Sequence, residues 1–150
     1  MTNLQKLTEL KWQLDCSNTK MRPDYVPKDK FTDKTANGLT KAVITWIKLH
    51  GYQAERINTT GRYLEGKTLG VGFYGIKQTK GKYIKGTGTN GSADISATIK
   101  GKSIKIEVKI GTDRQSEAQK KYQADIERAG GIYIIVKNFD QFVDWYNNFL

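Results

Sequence analysis

Residues 91–110 read GSADISATIKGKSIKIEVKI, and this stretch decides the fold. Polar and apolar residues alternate over Ala93–Ile99, a short turn follows at Lys100-Gly101-Lys102, and Ser103–Ile110 alternates again. A period of two marks a strand with one buried face. On the second strand Ile104, Ile106, Val108 and Ile110 share one face, while Lys105, Glu107 and Lys109 share the other. Joined by so short a turn, the two strands are expected to pair antiparallel. Asp94, at the start of the first, then comes near the end of the strand that carries Glu107.

Downstream, a helix is predicted from about Ser116 to Arg128, with Ala118, Tyr122, Ile126 and Ala129 on its buried side and Gly130-Gly131 closing it. Ile132–Val136 is a continuous apolar run, the signature of a strand buried on both faces. Asp140–Leu150 reads as a last amphipathic helix using Phe142, Val143, Tyr146 and Phe149 or Leu150. Upstream, a helix is expected over about Asn37–Leu49, with Leu39, Val43, Trp46 and Ile47 inward and Gly51 ending it. Gln53–Ile57 reads as a short strand. The segment Asn58–Gly91 holds nine glycines, and its middle, Phe73–Lys85, suits a hairpin turning at Thr79-Lys80-Gly81-Lys82. Leu4, Leu7, Leu10 and Leu14 mark a helix over Asn3–Asp15, and the polar stretch Ser17–Lys34, with Pro23 and Pro27, reads as a linker or wrapping arm. The expected organisation is a helix and arm over residues 1–36 and an α/β domain over 37–150, built around a mixed sheet.

The chain has 150 residues, enough for one self-sufficient core. Cys16 and His50 are the sole cysteine and histidine, which excludes a disulfide framework and any Cys- or His-rich metal centre. No apolar run approaches the length of a membrane span, and Met-Thr-Asn opens no apolar leader, so a soluble cytoplasmic protein is expected. The net charge is +10, and it is unevenly spread. The first 40 residues hold seven basic and five acidic groups, whereas Arg56–Lys109 holds 11 basic residues against Glu65, Asp94 and Glu107 alone. Tyr63, Phe73, Tyr74 and Tyr83 interleave with those cations. This mixture suits a surface that follows a phosphate backbone.

Two carboxylates converging at Asp94 and Glu107 suit a hard cation such as magnesium, which takes oxygen ligands. Phosphodiester hydrolysis uses such a cation to neutralise a phosphate oxygen and to acidify water. A lysine beside it, Lys109, can orient that water and stabilise developing charge. The glycines before Asp94 would let a phosphate backbone come close to main-chain amides. A Lys-Ile-Glu-Val-Lys strand is also a common solvated sheet surface, and Asp94 could simply close a turn after Gly91-Ser92.

Gly91-Ser92-Ala93-Asp94-Ile95, then Ile104-Lys105-Ile106-Glu107-Val108-Lys109, then Gln119 and Gly130-Gly131 resemble the PD-(D/E)XK nuclease superfamily, and within it the virus-type replication-repair nuclease (VRR-NUC) domain. The resemblance spans about Asn37–Val136 and is most specific over Gly86–Val136. It implies a restriction-endonuclease-like αβββαβ core and magnesium- or manganese-dependent cleavage of DNA. It also implies Asp94 and Glu107 as metal-binding acids, the Val108 carbonyl as a further ligand, and Lys109 as the catalytic lysine. Gln119 matches a glutamine that steadies such sites, although Ser116-Glu117-Ala118-Gln119 is equally a capping box. Two departures stand out. Ala93 occupies the place of the motif's proline, and no acid lies between Asn37 and His50, with Glu55 as a candidate substitute.

Arg62, Lys67, Lys80, Lys82 and Lys85 fall in the insertion before Asp94 and are read as a basic flap for nucleic acid. Arg114 and Gln115, just ahead of a helix start, are candidates for phosphate contact. The expected substrate is DNA, branched (junction or flap) or duplex, cut by an enzyme of phage or bacterial type. A homodimer through Leu4–Leu14 is a further expectation. The rival readings are a non-catalytic nucleic-acid-binding module and a phage structural or replication component on the same fold.

Overall fold

The computed structural model describes all residues other than 59, 60, 67, 73, 74, 79, 85 and 87, and describes Arg62, residues 68–72 and residues 75–78 by backbone alone. The protein is a mixed α/β fold whose centre is a four-stranded sheet in the order β1-β6-β7-β8. Its strands are β1 (Gln53–Arg56), β6 (Ile95–Ile99), β7 (Lys102–Val108) and β8 (Ile132–Val136). The first three pair antiparallel, and β8 joins β7 in parallel after the crossover helix α3 (Glu117–Arg128). Ile99 faces Lys102, leaving a two-residue turn of Lys100 (φ 49°) and Gly101 (φ 74°). Two successive positive φ values match the right-handed twist of a hairpin, and this turn fixes the register of everything that follows.

One face of the sheet is covered by α2 (Ala36–Leu49) and α4 (Phe139–Phe149), and α1 (Asn3–Ser17) packs against those two helices. Ile95, Ala97, Ile99, Ile104, Ile106 and Val108 point into this layer, where they meet Leu39, Val43, Trp46 and Ile47 of α2 and Phe139, Phe142, Val143 and Tyr146 of α4. Full burial of each large aliphatic side chain contributes about 1.5–3 kcal/mol, so this layer supplies most of the driving force. The N-terminal helix belongs to the same core through Leu7, while Leu10 and Leu14 remain exposed. The segment after α1 wraps back over the helices. Trp12 Nε1 donates to the Val26 carbonyl at 3.1 Å, and Asp33 accepts from the Phe139 N–H at 3.1 Å, closing the start of α4.

Among the described residues, the other face is covered by α3. That helix has no fully buried residue. Tyr122, expected in the core, is half-buried with its ring 6.3 Å from Tyr133, and Ala129 is exposed. The insertion also differs from expectation. Here β2 (Arg62–Leu64) pairs with β5 (Lys82–Ile84), and β3 (Thr68–Gly72) with β4 (Gly75–Gln78), so the predicted turn at residues 79–82 instead links strands with different partners. Gly72 facing Gly75 offers a tighter reversal than the lysine-flanked Gly81.

Candidate active site

The register set by the Lys100-Gly101 turn pairs Ile95 with Ile106, so Asp94, one residue before β6, comes opposite Glu107. Its side chain is fastened there. Asp94 Oδ2 accepts the Val108 N–H at 2.8 Å, and the Asp94 carbonyl accepts the Ile57 N–H at 2.8 Å. In extended backbone a residue's N–H and C=O point toward the same edge, so the Val108 carbonyl is turned to Asp94's side of β7. Lys109 continues the line of β7, donating its N–H to the Val136 carbonyl at 3.0 Å.

Glu107 and Lys109 are not a solvated strand face. Glu107 is 2% exposed and Lys109 7%. They form an ion pair of 3.0 Å, with Asp113 a further 4.0 Å from the ammonium. Helix α3 lies over them. Gln119 donates from Nε2 to Glu107 Oε1, and its own Oε1 accepts from Lys109 Nζ at 3.0 Å. The same Oε1 accepts the Ser116 N–H at 2.9 Å, while Ser116 Oγ accepts the Gln119 N–H at 3.3 Å. The two roles considered for Gln119 are thus both occupied at once: it closes the capping box and bridges the buried pair.

Burial pushes the Glu107 carboxyl above its ordinary value, and the neighbouring charge of Asp94 adds to the rise. The hydrogen bond and charge of Lys109 and the Tyr133 hydroxyl oppose it. Tyr133, on β8 beside Lys105, reaches Glu107 Oε2 at 3.3 Å, although by sequence alone it reads as one residue of an apolar strand. Burial first, and the charge of Glu107 second, raise its own phenol. A signal was available. A tyrosine inside a buried strand must find a partner for its hydroxyl, and in a strand parallel to β7 it falls on the glutamate's face.

Gln115 turns its amide inward, donating to Gln123 Oε1 at 2.9 Å and to the Tyr133 hydroxyl at 3.5 Å, so it braces the site from the side. Arg114 is exposed. Lys82 is exposed on the β2–β5 ribbon and Lys80 is exposed just before it, Arg62 is described by its backbone in β2, and Lys67 and Lys85 lie outside the described residues. Gly91, at φ 78°, approaches the protein itself: a Cβ there would overlap the Ala118 carbonyl and press on the Gln119 N–H. The close approach expected for a phosphate backbone is made at this glycine by helix α3.

Glu55 is exposed on the edge strand, paired with Ser96, one row away from Asp94. Among the described residues no group of three or more His, Cys, Asp or Glu side chains converges. Two acids do come near each other, Asp94 and Glu107, with Asp94 Oδ2 on the Val108 N–H. Their chemistry fits a hard divalent cation. A carboxylate offers about four lone-pair positions, and Glu107 uses three, on Lys109, Gln119 and Tyr133, which leaves one. Comparison of the whole sequence with models of known protein families and with characterised proteins returns no match.

Proposed function

We propose that the chain is a metal-dependent deoxyribonuclease of the PD-(D/E)XK type, closest in character to VRR-NUC domains, acting on branched or duplex DNA. The observation that carries the reading is the burial of Glu107 and Lys109 as a pair, bridged by Gln119, with Asp94 held across from them. A solvated strand would leave these side chains in water, and desolvating two charges costs several kcal/mol per ion. Sites of chemistry carry such arrangements. With the insertion set aside, the element order α2, β1, β6, β7, α3, β8 has the sequence of a restriction-endonuclease-like core, which supports the same reading.

Asp94, Glu107 and the Val108 carbonyl would hold a magnesium or manganese ion, which when bound supplies Lewis-acid polarisation of a phosphate and acidification of water. The protein's own groups do the remaining work. Lys109 spends two of its three N–H donors on Glu107 and Gln119, leaving one to orient an attacking oxygen or to meet charge on the phosphate. Gln119 and Tyr133 keep Glu107 from swinging away. Exposed cations of the insertion, Lys80 and Lys82 among them, would neutralise phosphates nearby.

The test is cleavage of labelled linear duplex, flap and four-way-junction DNA in magnesium, manganese or EDTA, with Glu107→Ala and Lys109→Ala proteins alongside. Metal-dependent cutting lowered by about 10²–10⁴-fold in both variants, with binding in EDTA retained, is expected. Binding without cutting in either metal overturns the catalytic reading and leaves a nucleic-acid-binding module.

A further inference from the structure

The ribbon of β2 and β5 sets Tyr63 directly opposite Tyr83, so the two rings share one face. They are 63% and 61% exposed. They do not stand upright on that face. A methyl group built at Gly61 would overlap the hydroxyl end of Tyr83, and one built at Gly81 would overlap the hydroxyl end of Tyr63. Each ring therefore lies down across the ribbon, over the glycine two residues before the other tyrosine. The arrangement is reciprocal and needs both glycines, because any side chain there would lift a ring off the backbone. Two aromatic rings laid on bare backbone keep their outer π-faces open to solvent.

We infer that the Tyr63–Tyr83 face is a stacking platform for unpaired nucleobases, its ligand being a single-stranded segment of nucleic acid. Two observations select that ligand. Flat exposed rings match flat unpaired bases, whereas the bases of a duplex are already stacked on one another. The surrounding stretch, Arg56–Lys109, carries 11 cations against three acids, and Lys82 on this ribbon and Lys80 just before it are exposed, so the polymer that bears those bases is expected to be polyanionic. The inference shares with the proposed function a nucleic-acid ligand and names an unpaired strand as part of it. It requires no catalysis.

The test uses the full chain in EDTA, where cleavage cannot intervene, and reads fluorescence anisotropy with three labelled probes. These are a dT 20-mer, the same strand with abasic tetrahydrofuran units along its length, and a 20-base-pair duplex. The wild type is expected to prefer the base-bearing strand over the abasic one by roughly five- to a hundredfold, the range of base–aromatic stacking. Tyr63→Leu/Tyr83→Leu should lose that preference, and Tyr63→Phe/Tyr83→Phe should keep it, with duplex affinity equal in all three. No base-versus-abasic preference in the wild type overturns the inference without recourse to any variant, as does a preference that survives in the Leu protein. Magnesium-dependent cutting of the duplex, measured separately, reports on the nuclease reading whichever way the platform falls.

Discussion

The two faces of β7 are both buried, by opposite means. Ile104, Ile106 and Val108 meet the apolar layer built on α2 and α4 and need nothing from it but volume. Glu107 and Lys109, one residue out of phase, meet a single helix that has no fully buried side chain and covers them with an amide. The first face stabilises the fold through displaced water. The second holds two desolvated charges whose benefit to stability is small or negative, and whose geometry is nevertheless specified by four side chains. A protein keeps such an arrangement where position is worth more than stability.

The largest expected effect tests the apolar face. Ile106→Ala, fully buried against α2 and α4, should lower unfolding free energy by about 2–5 kcal/mol in urea titration. The double variant Glu107→Gln/Lys109→Met should do the reverse on the other face: stability unchanged or raised, since both buried charges leave together, and metal-dependent cleavage abolished. A large loss of stability there would dissolve the contrast between the faces.

A smaller effect follows from pH. The folded value of Glu107 lies above the ordinary 4.5, so the folded chain takes up this proton before the unfolded chain does. Its favourable contribution is complete below 4.5 and is lost as pH rises through the folded value. Glu107→Gln lacks that dependence. In EDTA, the melting temperature of the variant minus that of the wild type should therefore increase from pH 4 to pH 8, and a flat difference would show the carboxyl to be unstrained. Smallest is the cap. Ser116→Ala should cost about 1 kcal/mol in thermal or chemical unfolding, and because Gln119 answers to both the cap and the buried pair, it should also weaken stabilisation by added magnesium. A cap loss with magnesium stabilisation intact would separate the two roles of Gln119.

Much of this was legible before any coordinates. Alternation and the short turn expected at Lys100-Gly101-Lys102 were enough to bring Asp94 near the end of the strand carrying Glu107. The exact register follows from the pairing of Ile99 with Lys102, which leaves two residues in the turn. The helices α2 and α4 followed from their apolar spacing to within a residue or so. What stayed hidden depends on contacts between distant segments. Nothing local tells that α3 closes over the Glu107 face, since the buried side read for that helix, Ala118, Tyr122, Ile126 and Ala129, leaves out the Gln119 that covers the pair. Tyr133 joined the site through a parallel pairing 26 residues away. In the glycine-rich insertion, several reversals are sterically permitted, and the ladder partners were chosen by pairing across the loop.

The hydrogen bonds of Gln119 have a kinetic corollary. Helix α3 has few apolar anchors, so an appreciable part of what holds it down is the amide clasping Glu107 and Lys109, together with Gly91 seated against Ala118. Lifting the first turn of the helix and uncovering the buried pair are then one event. Amide exchange at the start of α3 would proceed by a local opening well below the global unfolding free energy, and that opening would be the same gate through which solvent and ions reach Glu107.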